Sequence, residues 1–449
     1  MNENGNNREQ WGSRVGFILA CLGSAVGLGN IWRFSTTAGE NGGGAFLVVY
    51  LLIVLLIGIP VVMAEFTIGR KAQSDAVGAF QKLAPGKPWF IAGFMGVASS
   101  FIILSFYAVV AGWVMKYFFG YITGALVNVP ENDFTGYFVN FIGKPVEPVL
   151  WQFIFMAMTI GIVVVGVQKG IEASNKFLMP MLGILLVVLA IYSLTLGGAK
   201  EGLTFLFSPD WSKLSDPQLY LEALGQAFFS LSLGMGALIT YGGYLKQENK
   251  LPTAALSVGV LDTFVAVLAG ILIFPAVFAF GLDPAGGAGL VFMTLPNVFD
   301  QMAFGGLVGA AFFFLLFAAA LSSSVSLLEV AVAYFMRKFD WNRKKAVLII
   351  GSIIFVLGIP SSISQGAVPI TVMDRDFLTF MDELSGNILL PLGGLFIALF
   401  MGWGVKKADA LRDSDFGNTV IGHLWFWSVR VLAPVAILLI FLNKIGIIG

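Results

Sequence analysis

Long, almost unbroken apolar runs recur along this chain, and short polar segments separate them. A helix needs roughly 20 mostly apolar residues to cross the hydrocarbon core of a bilayer. Eleven runs qualify, at about 15–38, 42–69, 90–124, 149–167, 177–196, 221–244, 253–281, 304–336, 346–364, 384–404 and 424–442. They are continuous, whereas strands of a membrane β-barrel alternate apolar and polar residues. The pattern predicts an all-α polytopic membrane protein with eleven transmembrane helices. The longer runs must tilt or extend beyond the hydrocarbon. The first run is too long and too polar inside to be a cleaved signal peptide, and no A-x-A site follows it, so it reads as retained.

Composition agrees with this and excludes other classes. Of 449 residues, 57% are hydrophobic and 12% charged, where a soluble chain carries about 25% charged residues. With 26 basic and 26 acidic residues the net charge is zero, which argues against an electrostatic nucleic-acid binder. Cys21 is the only cysteine and His423 the only histidine. An internal disulfide is therefore excluded, and a histidine-ligated transition metal has no support. Basic residues favour the cytoplasmic side of membrane loops. With the N-terminus inside, inner segments hold clusters such as Arg70-Lys71, Arg337-Lys338, Arg343-Lys344-Lys345 and Lys406-Lys407, and outer segments hold few. Eleven spans then place the C-terminus outside.

Two spans are interrupted by glycine and hydroxyl residues. The first reads Gly23-Ser24-Ala25-Val26-Gly27-Leu28-Gly29-Asn30, and the sixth reads Phe229-Ser230-Leu231-Ser232-Leu233-Gly234-Met235-Gly236. Each glycine weakens a helix by about 1 kcal/mol. Small residues also let membrane helices pack closely, which explains one glycine more readily than two such clusters. Unwound backbone at mid-membrane survives only where it faces protein or a wet cavity. The clusters lie five spans apart, and an odd spacing reverses orientation. Spans one to five (residues 11–196) and six to ten (221–404) thus read as a 5+5 inverted repeat with unwound first and sixth helices, a transporter signature. The eleventh span (424–442) stands outside it, within a single transporter domain of residues 1–449.

Polar groups at membrane depth are costly and mark function. Four acids matter here: Glu65 in span two, Asp262 in span seven, Glu329 in span eight and Asp382 at the outer edge of span ten. Span eight also carries Ser322-Ser323-Ser324 after Ala319. Those hydroxyls can bond back to their own helix, or join carbonyls freed near Gly23 to Val26 in holding a hard cation. Asp262 with Asn30 and Ser230 offers a second, negatively charged cation site. Freed amides near Leu28 and Gly29 suit a substrate carboxylate. Phe229, Met235, Tyr107 and Leu327 supply apolar walls, or simply pack.

The stretch from Gly23 to Phe34, preceded by Trp11 and Arg14, resembles the neurotransmitter:sodium symporter family. Glu40-Asn41-Gly42-Gly43-Gly44-Ala45-Phe46, Gly58-Ile59-Pro60 with Glu65, and Gln226 to Ser232 share the resemblance. It spans nearly the whole chain and is nearest to bacterial eleven-span members that carry hydrophobic and aromatic amino acids. It implies sodium-coupled symport by alternating access, with two sodium ions and no organic cofactor. The first sodium site would be Ala25, Asn30, Ser230 and Asp262 with the substrate carboxylate. The second would be the carbonyls of Gly23, Val26 and Ala319 with the hydroxyls of Ser322 and Ser323. The substrate pocket would be Leu28, Gly29, Tyr107, Phe229, Ser230, Ser232, Met235, Ser323 and Leu327, with the Tyr107 hydroxyl reaching the substrate carboxylate. Arg33 and Asp382 would form an outer ionic gate above a Tyr107–Phe229 lid. Arg8, Trp11 and Tyr244 would belong to the inner gate. The window from Gly170 to Pro180 is one the resemblance marks as able to unwind.

The chain departs from the family at three points. Arg337 stands where the family has its inner-gate aspartate, which leaves the partner of Arg8 open. Placing Asp382 in the gate needs a short gap. Ala266 stands where other members have a hydroxyl or an acid near a chloride, whereas animal members have asparagine at the Asp262 position. Asp262 would then supply the negative charge, so chloride is expected to be unnecessary. Met235 is flexible and, flanked by Gly234 and Gly236, suggests room for large side chains, so hydrophobic and aromatic L-amino acids are the expected substrates. The alternative is a proton-coupled amino-acid transporter of the same architecture. An enzyme has no support, because the span-eight hydroxyls lack a histidine base and no phosphate-binding loop occurs. The expected location is the bacterial cytoplasmic membrane, with lipid, Na⁺ and an amino acid as partners and the oligomeric state open.

Overall fold

The computed structural model describes residues 9–127, 129–281, 291–444 and 446–447. Arg8 lies outside them. Apolar helices dominate, and among the described residues the only strands are the two-residue pair Thr371–Val372 and Arg375–Asp376. Among the described residues, nine continuous helices are long and apolar enough to span a membrane: Gly44–Ala72, Phe90–Ile122, Glu147–Val164, Val167–Ser193, Leu251–Ala279, Gly305–Phe339, Arg343–Ile363, Phe377–Gly404 and Val420–Asn443. The first span is a tenth, broken into Arg14–Ala25 and Gly29–Glu40 with a bend of 56°. The sixth is split further, into Pro217–Ser230 and Ala237–Gly243. Together they account for the eleven apolar runs.

Both breaks follow from local chemistry. Ser13 caps the first helix by accepting the Gly16 amide at 3.0 Å. At Val26 the backbone turns extended, and winding resumes at Gly29 in a wide turn. In span six, Ser232, Gly234 and Gly236 all have positive φ (54°, 78° and 74°). Glycine takes that conformation freely, but serine pays for it. Ser232 is held there because its hydroxyl donates to the Ser24 carbonyl at 2.8 Å. A side chain at Gly234 would press its Cβ to 2.6 Å from the Leu390 carbonyl oxygen. Glu65 of span two accepts the Gly234 amide at 2.9 Å, so one buried acid satisfies backbone that the break left without a partner.

Helix bounds differ from the apolar runs at span five, which begins at Val167 rather than near 177. Its first turns carry Lys169, Glu172 and Lys176, which lower the hydropathy without stopping the helix. The Gly170 to Pro180 window is wound here, with a wide turn at Val167–Glu172 and Pro180 inside the following helix. Span ten also starts earlier, at Phe377, capped by Asp376, which accepts the Thr379 amide at 3.0 Å.

Candidate functional site

The two breaks face each other in the protein interior. Ser24 Oγ donates to Ser326 Oγ of span eight at 2.8 Å, and Ser232 ties the sixth-span break to the first. Ser24 belongs to the glycine and hydroxyl cluster of span one, whereas Ser326 did not stand out, since a single serine in an apolar helix carries no pattern. Gln226 Nε2 donates to the Gly29 carbonyl at 2.8 Å, and Ser100 Oγ to the Met235 carbonyl at 2.7 Å. Freed backbone is thus partnered by buried side chains.

Three carbonyls from the first break converge on one hydroxyl. Ser323 Oγ lies 3.2 Å from the Gly23 oxygen, 3.3 Å from Ser24 and 3.2 Å from Val26. Its single proton cannot serve three acceptors, so the cluster has surplus electron-rich oxygen. The neighbouring hydroxyls do otherwise. Ser322 donates to Ala319 at 2.9 Å and Ser324 to Leu321 at 2.8 Å, the back-bonding that helical serines favour. The structure therefore brings together Gly23, Val26 and Ser323, with Ala319 and Ser322 paired on the adjoining turn.

Asp262 makes a second cluster. It is fully buried. Asn30 Nδ2 donates to Asp262 Oδ1 at 2.7 Å and to Ser230 Oγ at 2.9 Å, while Ser230 donates to Asp262 Oδ2 at 2.7 Å. Asn30 Oδ1 accepts the Gly27 amide at 3.1 Å. An ionised carboxylate at this depth needs positive charge beside it, and among the described residues no basic side chain hydrogen-bonds to it. A cation shared by Asp262 and Ser230 would replace the Asn30 amide hydrogens, and a turn of that amide would offer it Oδ1.

Between the clusters lies a small cavity of about 30 Å³, lined by Ala25, Leu28, Gly29, Tyr107, Phe229, Ser232, Met235, Ser323 and Leu327 among others. Every expected pocket residue lines it except Ser230, which sits in the Asp262 cluster. A larger cavity of about 240 Å³ lies alongside, lined by Trp32, Arg33, Thr36, Phe106, Val110 and Asp382 and sharing Leu28, Gly29, Tyr107 and Phe229. Tyr107 and Phe229 thus separate the two. The Leu28 amide donates weakly to the Tyr107 hydroxyl at 3.5 Å, and the Phe229 ring lies so close to Gly29 that a Cβ there would meet it at 2.7 Å. The small cavity has room for a water or two, so any larger guest needs Phe229 to move.

The expected gates are only partly assembled. Arg33 and Asp382 line one cavity, but the Arg33 guanidinium stacks over Phe229 at 4.7 Å and no ion pair joins it to Asp382. At the other end Trp11 Nε1 donates to the Tyr241 carbonyl at 2.9 Å, and the Tyr244 hydroxyl donates to Glu329. Arg343 grips Glu329 with both terminal nitrogens, at 2.6 and 2.9 Å, and also pairs with Glu9. Arg337 pairs with Asp75. Arg343, Glu9 and Asp75 were missed because their run of surface charge looks like ordinary loop chemistry. Burial pushes the Glu9 carboxyl above the usual carboxylate range, with Arg343 pulling the other way.

Residues 8–131 and 139–448 match the profile of the sodium:neurotransmitter symporter family. The chain belongs to that family. Among relatives of this symporter, an uncharacterized sodium-dependent transporter, YhdH of Bacillus subtilis, is 40% identical over 98% of both chains. A Haemophilus influenzae protein, also an uncharacterized sodium-dependent transporter, is 37% identical over 99% of this chain and 100% of its own. The crystal structure of MhsT in complex with L-phenylalanine superposes with a TM-score of 0.92 at 62% identity, covering 98% of this chain and 100% of that one. The symporter is thus a multi-pass membrane protein and a sodium-dependent transporter, and not an enzyme.

Proposed function

We propose that this symporter imports hydrophobic and aromatic L-amino acids, L-phenylalanine among them, by sodium-coupled alternating access without chloride. The observation that carries this is the pairing of two oxygen clusters across two helix breaks. Ser323 gathers the carbonyls of Gly23, Ser24 and Val26, and Asp262 gathers Asn30 and Ser230. Hard cations take oxygen ligands, and both sets are oxygen-rich and have no basic partner among the described residues. Two sodium ions are the reading, one at Ala25, Asn30, Ser230 and Asp262, the other at Gly23, Val26, Ala319, Ser322 and Ser323. The substrate carboxylate completes the first, against the Leu28 and Gly29 amides and the Tyr107 hydroxyl. Apolar walls from Phe229, Met235 and Leu327 supply no group for a charged side chain. The phenylalanine bound to MhsT supports the substrate class.

Residues 11–196 and 221–404 are the inverted repeats of this reading, and 424–442 the added helix. The bacterial relatives support a bacterial cytoplasmic membrane, and the loop charges favour the N-terminus inside and the C-terminus outside. Arg33 and Asp382 would pair as Phe229 closes over the substrate, and Arg8, Trp11 and Tyr244 would hold the inner side together with Glu329 and Arg343. Proton coupling would call for a titrating base at the Ser323 cluster, and the span-five residue beside it is the neutral Asn175. The test is uptake of labelled L-phenylalanine into proteoliposomes. Replacing sodium by choline should abolish concentrative uptake, and replacing chloride by gluconate should not. Uptake driven equally well by a pH gradient alone would overturn the sodium reading.

A further inference from the structure

Span five brings to the Ser323 cluster a polar group that the sodium-site reading does not include. Asn175 is fully buried. Its amide nitrogen donates to the Ile171 carbonyl at 2.9 Å, which fixes the direction of the amide, since the reversed group would set oxygen against oxygen. Oδ1 is left with no hydrogen-bond partner. A buried acceptor without a donor costs free energy, and such a group in a native structure calls for a cause.

The direction of Oδ1 supplies one. A Cβ built on Gly23 would lie 1.8 Å from Asn175 Oδ1 and 3.1 Å from the Ser322 Cβ. The missing side chain of Gly23 is what admits the amide oxygen between spans one, five and eight. Gly23 is also the residue whose carbonyl faces Ser323 Oγ at 3.2 Å. One turn earlier on the same helix, Glu172 enters a similar notch at Gly16. Its carboxylate is well satisfied there, by the Gly12 amide at 2.6 Å, the Ser13 hydroxyl at 2.8 Å and Lys176. Two polar side chains therefore enter glycine notches of span one from span five. One is a saturated structural contact, and the other brings an unused oxygen to a cluster already rich in oxygen.

We propose that Asn175 is a further oxygen ligand of the cation held at Gly23, Val26 and Ser323, so that span five takes part in setting sodium affinity. This rests on the second sodium site of the functional reading. The arrangement also makes glycine obligatory at position 23 for a reason separate from helix breaking, because any side chain there would displace the Asn175 oxygen.

The test is a sodium titration of labelled L-phenylalanine binding to the purified full chain. Three variants are compared: Asn175→Leu, of similar size without the oxygen, Asn175→Asp, which keeps an oxygen at the same reach, and Ser323→Ala. The expected result for Asn175→Leu is an increase of about tenfold in half-saturating sodium, with phenylalanine affinity at saturating sodium within about twofold of the parent. Asn175→Asp should lower the sodium requirement, since a full charge then faces the cation. If Ser323→Ala raises the requirement and Asn175→Leu does not, the cation site stands and Asn175 is not its ligand. If neither changes it, the second site itself is refuted and this proposal with it. Should the leucine variant fail to fold, Asn175→Asp decides: a rise in the sodium requirement overturns the assignment.

Discussion

Replacing Asp262 by asparagine changes one charge and almost no volume. In the structure each carboxylate oxygen accepts one bond, from Asn30 at 2.7 Å and from Ser230 at 2.7 Å. An asparagine keeps one acceptor and turns the other into a donor, which conflicts with Ser230 or Asn30 and costs about 1 kcal/mol in the sodium-free protein. Toward a bound cation the loss is larger. Two unit charges 4 Å apart attract by about 4 kcal/mol at an effective dielectric near 20. That loss, set against the destabilised sodium-free state, leaves about 3 kcal/mol, or on the order of a hundredfold in sodium affinity. The assay is half-saturating sodium for labelled phenylalanine binding, with choline holding ionic strength and either chloride or gluconate as anion. The parent should be indifferent to the anion. Asp262→Asn should need far more sodium, and chloride should recover part of the loss by supplying the missing negative charge. An unchanged sodium requirement in the variant would refute the assignment of Asp262 to the cation.

Gly23→Ala places a methyl group 1.8 Å from Asn175 Oδ1; forced overpacking of this kind costs about 1–3 kcal/mol, seen as a lower Tm, and shortening the obstacle with Asn175→Ala should recover part of it. Arg343→Gln leaves the fully buried Glu329 without its opposite charge, a loss of about 3–5 kcal/mol, and should open the Trp11 segment to proteolysis; unchanged protease resistance would count against Arg343 as the anchor of that end. Glu9 carries a carboxyl raised by burial, so its stabilising contribution is full below the unfolded pKa and is lost as pH rises through the folded one. Glu9→Gln should therefore match the parent in Tm at acidic pH and exceed it increasingly toward neutral pH; a parent that gains on the variant as pH rises contradicts this. Phe229→Ala removes the ring dividing the two cavities and should weaken phenylalanine binding severalfold while leaving half-saturating sodium, measured at saturating phenylalanine, near that of the parent.

Much of the site was legible along the chain. Glycine next to hydroxyls in the middle of an apolar run is locally expensive, so Gly23 to Asn30 and Ser230 to Gly236 announced their breaks without any tertiary information. Glu65 and Asp262 stood out because a carboxylate in such a run has no local reason to be there. The span-eight hydroxyls were legible only as a set. Ser322 and Ser324 donate to their own helix, and of the three hydroxyls only that of Ser323 donates to span one, a difference set by helix rotation.

The sequence by itself determined the number of apolar crossings, the two places where winding fails and the scarcity of charge at depth, because each depends on the free energy of a residue in its own segment. The tertiary structure alone decided which freed carbonyls meet which hydroxyl, that Arg343 rather than a residue nearer in the pattern holds Glu329, and that Asn175 faces Gly23. Those pairings join residues up to 300 positions apart, and their distances are fixed by how helices cross, which no local pattern encodes.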